Sequence, residues 1–199
     1  MRIDALFDAP PSAQRQHVLG GEFVTVRPAR SEDAGMIAAY IRALSFASRY
    51  TRFLGPVNEL TPGDLYRMTH GDDAAPPALI VVSGDGDARS VVGEARYALD
   101  GITCEFSLSV ADPWRGKGLG TLLIEIIEGR AKLLGAHYLA GDVLRSNQAM
   151  LALAHKLGFA VTRSVLDDRL FKITKRLLRL DGARVANEGH RRTIESTFV

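Results

Sequence analysis

The stretch from residue 102 to residue 134 constrains the fold of this chain more than any other. Apolar and polar residues alternate in ITCEFSLSV, residues 102–110, which predicts a strand with one buried face. The turn PWRGKGLG, residues 113–120, holds three glycines and two basic residues, and an amphipathic run follows at once. A strand that passes through such a turn into a helix can present backbone N–H groups to an anion at the helix N-terminus.

The order of elements along the chain predicts a single α/β domain with one mixed sheet, of the α+β kind. A strand, two or three helices and three antiparallel strands precede the glycine-rich turn, and a helix, a strand, a helix and two strands follow it. We assign residues 21–175 to this domain, residues 1–20 to an N-terminal extension and residues 176–199 to a basic C-terminal extension. The Pro-Pro pair in DAPPSAQRQ, residues 8–16, predicts that the first extension lacks regular structure.

Composition narrows the classes of function. A formal net charge of +2 is too small to indicate nucleic-acid binding by itself, and the basic C-terminal segment offers no recognised binding motif. The one cysteine, Cys104, excludes an intramolecular disulfide and favours a cytoplasmic location, and its place on the apolar face of a strand predicts core packing. No apolar run approaches the roughly 18 residues of a membrane span. We therefore expect a cytoplasmic protein with no nucleic-acid partner, no membrane partner and no metal.

The glycines at 116, 118 and 120 exclude two well-known phosphate motifs. A dinucleotide fingerprint would need its third glycine at position 121, which is Thr121, and the spacing of a P-loop is absent. Two interpretations stay open on the glycines alone. The turn is either an anion cradle or a tight strand-to-helix connection with exposed basic residues.

Two motifs resemble the GNAT superfamily of N-acetyltransferases. Arg115-x-x-Gly118-x-Gly120 resembles its acetyl-CoA signature, Gln/Arg-x-x-Gly-x-Gly/Ala, and VLRSNQAMLALAHKLGF, residues 143–159, resembles its later strand–helix block. The element order over roughly residues 22–174 matches as well. SRYTRFLG, VGEARY and GDVLRSNQAMLALAHKLGF further resemble the acetyltransferase domain of bacterial Pat-type protein lysine acetyltransferases.

The resemblance implies a central, mostly antiparallel, twisted sheet that is splayed at a slot for acetyl-CoA. The pyrophosphate of this co-substrate would be held, chiefly by backbone N–H groups, at Arg115, Gly116, Lys117, Gly118, Leu119, Gly120 and Thr121. The backbones of Leu108, Ser109 and Val110 would pair with the pantetheine arm, and the N–H near Leu108 would polarise the thioester carbonyl. Asn147 would contact that arm and cap the helix that begins there.

Acetyl transfer to an amine needs a base, because a lysine amine has a pKa near 10.4 and is almost fully protonated at neutral pH. Glu105 is the candidate base: it lies on the polar face of its strand and aligns with a glutamate of the Pat-type motif. Glu94 is the second choice, and Glu22 and Asp142 are weaker candidates. Ala154 stands where many members of the superfamily carry a tyrosine acid.

The acceptor side is the least defined part of the sequence. SFASRYTRFLG, residues 45–55, lies where the superfamily builds the acceptor wall, so the resemblance implies substrate contacts by Arg49, Tyr50, Arg52, Phe53 and Glu94. The same segment also reads as an amphipathic helix with Tyr50 and Phe53 packed inward. We expect acetyl transfer to a primary amine, with protein lysine ahead of a small amine such as a polyamine, an aminoglycoside or an amino acid. A non-catalytic acetyl-CoA sensor is the alternative, and a homodimer is compatible with either.

Overall fold

Eight strands form one mixed sheet in the order β1-β2-β3-β4-β5-β6-β8-β7. The computed structural model describes residues 15–71 and 75–177. The strands in these residues are β1 Arg15–Leu19, β2 Glu22–Pro28, β3 Leu79–Ser83, β4 Ser90–Asp100, β5 Thr103–Val110, β6 Tyr138–Leu144, β7 Ala160–Arg163 and β8 Leu170–Arg176. The helices there are α1 Ala34–Ala43, α2 Phe46–Phe53, α3 Pro62–His70, α4 Leu119–Leu133 and α5 Gln148–Lys156. Of the adjacent strand pairs only β5–β6 is parallel, which confirms the mostly antiparallel mixed sheet.

Two hydrophobic cores lie on opposite faces of this sheet. The larger core includes residues of α4 and α5, and the smaller one includes residues of α1 and α3. The apolar stripe predicted for α4 is confirmed at Leu119, Leu123 and Ile127, which are almost completely buried. Leu133, the last residue of the helix, and Leu134, which follows it, are exposed.

The sheet opens between β5 and β6. These two strands pair only over residues 103–105 and 138–140, whereas β6 pairs along its whole length with β8. Gly141 stands at the point where they separate, and a Cβ atom there would lie 3.0 Å from the main-chain oxygen of Phe106. Glycine allows this close approach without displacing the neighbouring backbone. The splayed sheet that the resemblance implied is therefore present.

The N-terminal extension contains a strand that the sequence analysis missed. Arg15–Leu19 pairs antiparallel with β2 across Gly20 and Gly21, whose φ angles are +58° and +84°. A Gly-Gly pair with positive φ is a signal for a two-residue hairpin turn, and it outweighs the effect of the polar, proline-containing segment before it. The remainder of that extension and residues 178–199 of the C-terminal extension lie outside the described residues.

Some exclusions also follow from the fold. Within the described part of the chain, no helix combines the length and the hydropathy that a bilayer crossing requires. Residues 15–71 and 75–177 contain no group of three or more His, Cys, Asp or Glu side chains suited to holding a metal ion. Cys104 is fully buried, and burial raises the pKa of its thiol to about 11, so the predicted role in core packing is confirmed.

Candidate active site

A cleft of about 740 Å³ opens where β5 and β6 separate, and we call it the splay cleft. One wall is β5 from residue 106 to residue 110, and the opposite wall is formed by β6 and the start of α5. The glycine-rich turn and the first turn of α4 close one end, while α2 borders the opening. The elements on either side of the glycine-rich turn thus meet in one cavity.

The edge of β5 that faces this cleft has free backbone groups. Ala111 donates its N–H to the carbonyl of Val92, on the side of β4, at 2.9 Å. In antiparallel pairs, residues that bond to the neighbouring strand alternate with residues whose amides point the opposite way. Leu108 and Val110 therefore direct their N–H and C=O groups into the cleft, where no described strand pairs with β5 beyond residue 105. An extended amide chain can pair with this edge as a further strand would.

The same alternation changes the assignment of Ser109. Its backbone faces Glu94 on β4, so its amide is not available to a chain lying in the cleft. Its side chain projects out of the plane of the sheet, and its hydroxyl donates a hydrogen bond to the Glu94 carboxylate at 2.7 Å. Pairing of the pantetheine arm is thus expected from Leu108 and Val110, and Ser109 instead belongs to the support beneath the site.

The glycine-rich turn supplies the N-terminus of α4. Gly116 and Gly118 have φ angles of +75° and +92°, a region that residues with a Cβ avoid, and Gly118 is the N-cap of the helix. The first N–H groups of a helix have no partner within it, so those that follow Gly118 are available to an anion. Gly120 serves packing, because a Cβ atom there would lie 3.0 Å from the Leu153 side chain of α5.

The two basic side chains of the turn behave differently. Lys117 turns away from the splay cleft: it is ion-paired with Glu22 at 2.7 Å, and its ammonium lies 4.6 Å from the centre of the Trp114 ring. Only its backbone N–H is left for a bound anion. Arg115 does line the cleft, and its guanidinium donates to Ser48 of α2 at 2.7 Å.

Arg115 belongs to a polar cluster that ties the turn to α2. Asp112 is ion-paired with Arg115 at 3.1 Å and accepts hydrogen bonds from the Ser45 N–H at 3.0 Å and the Ser48 hydroxyl at 2.7 Å. Burial raises the pKa of Asp112, but these hydrogen bonds and the charge of Arg115 outweigh it and hold the pKa below its usual value. The serines lie more than sixty residues from Asp112 in the chain, and no local sequence signal predicts this cluster.

Asn147 lines the splay cleft and begins α5. Its side-chain oxygen accepts the N–H of Met150 at 3.1 Å, which confirms its predicted role as N-cap. Ala154, farther along α5, is completely buried. The position at which the superfamily often carries a tyrosine thus faces the core.

A second, smaller pocket of about 450 Å³ lies between α2, α3 and the faces of β4 and β5, and we call it the helix-side pocket. It shares Arg52, Phe106 and Ser107 with the splay cleft, so the two cavities are neighbours. Glu105 lines this pocket with its side chain about half exposed. The candidate base and the free edge of β5 thus belong to the same strand, three residues apart.

Glu105 holds an ammonium group in this structure. Lys172 of β8 donates to Glu105 at 2.8 Å and lies 3.5 Å from Asp142 of β6, so it bridges the separating strands. Burial lowers the pKa of Lys172, but the hydrogen bond to Glu105 and the charge of Asp142 raise it overall. The sequence analysis did not single out Lys172, which only the pairing of β6 with β8 brings here.

Glu94 is fully buried, and this placement corrects its assignment to the acceptor side. Its carboxylate forms an ion pair with Arg52 of α2, whose Nη2 lies 3.0 Å away, and accepts the Ser109 hydroxyl. The Tyr40 hydroxyl continues the chain to Ser109 at 2.9 Å, and burial together with the Glu94 charge raises the pKa of Tyr40. With its oxygens occupied and no exposed surface, Glu94 holds α2 on the sheet and has no contact to offer an acceptor.

The other residues predicted to contact the acceptor separate into two groups. Arg52 and Phe53 line the helix-side pocket, and the Arg52 guanidinium lies 5.1 Å from the Phe53 ring centre. Arg49 instead donates to the main-chain oxygens of Arg42 and Leu44, where it fastens the connection between α1 and α2. Tyr50 packs against Phe46 with ring centres 6.0 Å apart, and it does not line the pocket.

Comparison with known proteins agrees with this geometry. The family model described as the acetyltransferase (GNAT) family matches residues 37–159, more than half of the chain. The chain belongs to the GNAT family. It is therefore an N-acetyltransferase whose co-substrate is acetyl-CoA, and its acceptor is an amine.

Curated relatives include acetyltransferases of Pseudomonas aeruginosa. One, named only as an acetyltransferase, is 33% identical over 146 residues, which cover 72% of this chain and 78% of the relative. Another is an L-methionine sulfoximine/L-methionine sulfone acetyltransferase, 32% identical over 109 residues, which cover 51% of this chain and 63% of the relative.

Solved GNAT structures have the same fold. The GNAT domain of S. lividans PAT superposes with a TM-score of 0.74 at 25% identity, over 85% of this chain and 100% of that domain. A Salmonella typhimurium protein solved with its cofactor acetyl-CoA superposes with a TM-score of 0.57 at 25% identity, over 77% of this chain and 94% of the other.

Proposed function

We propose that this GNAT enzyme transfers the acetyl group of acetyl-CoA directly to a primary amine, with Glu105 as the general base. The observation that carries the proposal is the position of Glu105, which lies where β5 and β6 begin to separate and already accepts a hydrogen bond from an ammonium group. Acetyl-CoA supplies the activated acetyl thioester. The volume of the splay cleft, the free edge of β5 and the N-terminus of α4 fit its long, amide-containing, phosphate-bearing arm.

On the donor side, the chain binds mainly with its backbone. Leu108 and Val110 offer amide groups to the pantetheine arm, and the N–H groups after Gly118 face the pyrophosphate. The Leu108 N–H is the donor proposed to stabilise the negative charge that develops on the thioester carbonyl. Arg115 adds a positive charge at the same end of the cleft.

On the acceptor side, Glu105 takes a proton from the ammonium so that a lone pair becomes available for attack. Lys172 occupies this position in the structure and shows that the carboxylate can accept from an ammonium at hydrogen-bonding distance. An incoming acceptor replaces Lys172 as the partner of Glu105, and Lys172 keeps Asp142 as its neighbour. Ala154 provides no hydroxyl to act as the acid, so coenzyme A leaves as the thiolate or takes its proton from water.

Two acceptor classes have support from relatives. The likeness to the GNAT domain of S. lividans PAT, together with the Pat-type motifs, supports a protein lysine. The likeness to L-methionine sulfoximine/L-methionine sulfone acetyltransferases supports a small amine. The two classes differ in charge, because a free amino acid brings a carboxylate to the helix-side pocket and a lysine within a protein does not.

The base is tested by thiol release from acetyl-CoA with a panel of amines, measured for the wild type and for Glu105→Gln. We expect kcat to fall about 100- to 10,000-fold in this variant, while the Kd for acetyl-CoA stays unchanged. Asp142→Asn is the matched control, because it removes the other carboxylate beside Lys172 and should cost less than about tenfold in kcat. Full turnover in Glu105→Gln would refute the assignment of the base. Tight binding of acetyl-CoA without transfer to any amine would support the sensor alternative.

A further inference from the structure

Arg96 of β4 lines the helix-side pocket, and no carboxylate of the described residues forms an ion pair with it. Its Nε atom is buried and has no hydrogen-bond partner among residues 15–71 and 75–177. A guanidinium is always ionised and carries five N–H donors, and a buried donor without an acceptor is unfavourable even though the Arg96 side chain as a whole is only partly buried. A group that brings a negative charge into this pocket would satisfy it.

The other charged groups of the pocket have partners. Four charged side chains line it: Arg52, Asp64, Glu105 and Arg96. The first three are paired with Glu94, Arg67 and Lys172, respectively. Among the described residues that line the pocket, Arg96 is the charged side chain without an ion pair. An anionic group of the ligand would supply the missing negative charge.

The position of Arg96 relative to Glu105 suggests what that ligand is. Arg96 lies opposite Ser107 in the register of β4 and β5, and Glu105 is two residues from Ser107 on the same face. Diagonal neighbours of this kind are about 7–8 Å apart at the backbone. One small molecule can therefore place an amine at Glu105 and a carboxylate at Arg96. Phe53, Leu60 and Met68 give the same pocket an apolar wall.

We infer that Arg96 is the carboxylate-binding residue of the acceptor site, and that the acceptor is an α-amino acid with an apolar side chain. A planar guanidinium binds a carboxylate through two parallel hydrogen bonds, which also fixes the direction in which the amine points. A lysine inside a protein has neutral backbone amides in place of a free carboxylate. It would therefore leave the charge of Arg96 uncompensated. The inference rests on the proposed function, in that it takes the helix-side pocket as the acceptor site.

The first test compares acceptors with and without a free carboxylate. L-methionine and L-leucine are assayed against their carboxamides and against Nα-acetyl-lysine amide, with the wild type and Arg96→Gln. We expect the wild type to prefer the free amino acids in kcat/KM. Arg96→Gln should raise the KM for the amino acids about 10- to 100-fold, with little change in kcat or with the carboxamides. Arg96→Lys should restore part of the preference, because it keeps the charge and loses the paired donors.

The matched control is Arg42→Gln, which removes an exposed guanidinium of α1 that does not line the pocket. It should leave every acceptor unchanged. Thermal unfolding midpoints of the three variants show whether any change in KM comes from lost stability. Equal losses with amino acids and carboxamides in a stable Arg96→Gln would overturn the inference, and so would a wild-type preference for the lysine amide.

A second test does not depend on turnover. L-methionine is titrated calorimetrically into Glu105→Gln saturated with coenzyme A, with and without Arg96→Gln. Methionine binding that disappears in the Arg96→Gln variant supports the carboxylate site, even if no amine is acetylated. In that case the proposed function is refuted and this inference is not. Transfer to amines that is indifferent to Arg96, together with no methionine binding, overturns this inference and leaves the proposed function standing.

Discussion

The splay cleft and the helix-side pocket are built in different ways. The cleft is formed by backbone: a free strand edge at Leu108 and Val110, and a helix N-terminus behind two glycines with positive φ. The helix-side pocket is formed by side chains from α2, α3, β4 and β5, and its shape depends on a buried ion pair that holds α2. A backbone site suits a co-substrate common to the family, whereas a side-chain site can be changed residue by residue to suit an acceptor.

The largest effect is expected from breaking the support of the helix-side pocket. Arg52→Ala leaves the fully buried Glu94 without its partner, and removing one member of a buried ion pair costs about 3–5 kcal/mol of unfolding free energy. Urea denaturation measures this loss. Arg49→Ala, on the same helix, removes hydrogen bonds to main-chain oxygens only and should cost about 1.5 kcal/mol. Equal losses in the two variants would mean that the pair with Glu94 does not hold α2.

An intermediate effect is expected in the backbone-built cleft. Gly116→Ala and Gly135→Ala place a Cβ at φ angles of +75° and +79°, with no atom of the described residues within 4 Å in either case. Both should lose about 1–2 kcal/mol of stability from backbone strain. Only Gly116 lines the splay cleft, so only Gly116→Ala should raise the Kd for coenzyme A, by about tenfold. An unchanged Kd, measured by calorimetry, would contradict the role of the turn as an anion cradle.

The smallest effect concerns Asp112, which joins the two regions by connecting Arg115 to α2. Asp112→Asn should cost less than about 1 kcal/mol, because the ion pair is partly exposed, and should raise the KM for acetyl-CoA a few-fold. The pKa of Asp112 is lower in the folded than in the unfolded chain, so its stabilisation is present above the ordinary value of 3.8 and is lost as the pH falls through the folded value. The difference in stability between wild type and variant should therefore be complete at neutral pH and vanish in strong acid. A difference that persists there would assign the effect to packing.

The same contrast explains which parts of the site could be predicted from the sequence. The strand of residues 103–110, the turn and α4 are contiguous, so their periodicity predicts these elements, and the motif they contain carries the resemblance that implies the donor site. Gly141 also carried a local signal, an isolated glycine inside a strand, which indicates a close backbone approach. The strand Arg15–Leu19 was missed, although the Gly20–Gly21 pair is a sequence signal for the hairpin turn that joins it to β2.

The acceptor side could not be assembled in this way. Arg52 and Glu94 are 42 residues apart, and Lys172 and Glu105 are 67 apart, so only the tertiary fold brings them together. Glu94 and Glu105 both look like polar strand residues in the sequence. Packing of α2 over β4 buries the first, whereas the second is left exposed at the edge of the pocket.

The most direct test of the central claim is a single-turnover measurement. Enzyme saturated with acetyl-CoA is mixed with the amine that the wild type acetylates fastest, and the N-acetyl product is followed between pH 6 and pH 9. If Glu105 is the base, Glu105→Gln forms product about 100- to 10,000-fold more slowly than the wild type at neutral pH. Its rate then climbs with pH as the fraction of free amine grows. A variant that matches the wild-type rate across this range would contradict the account.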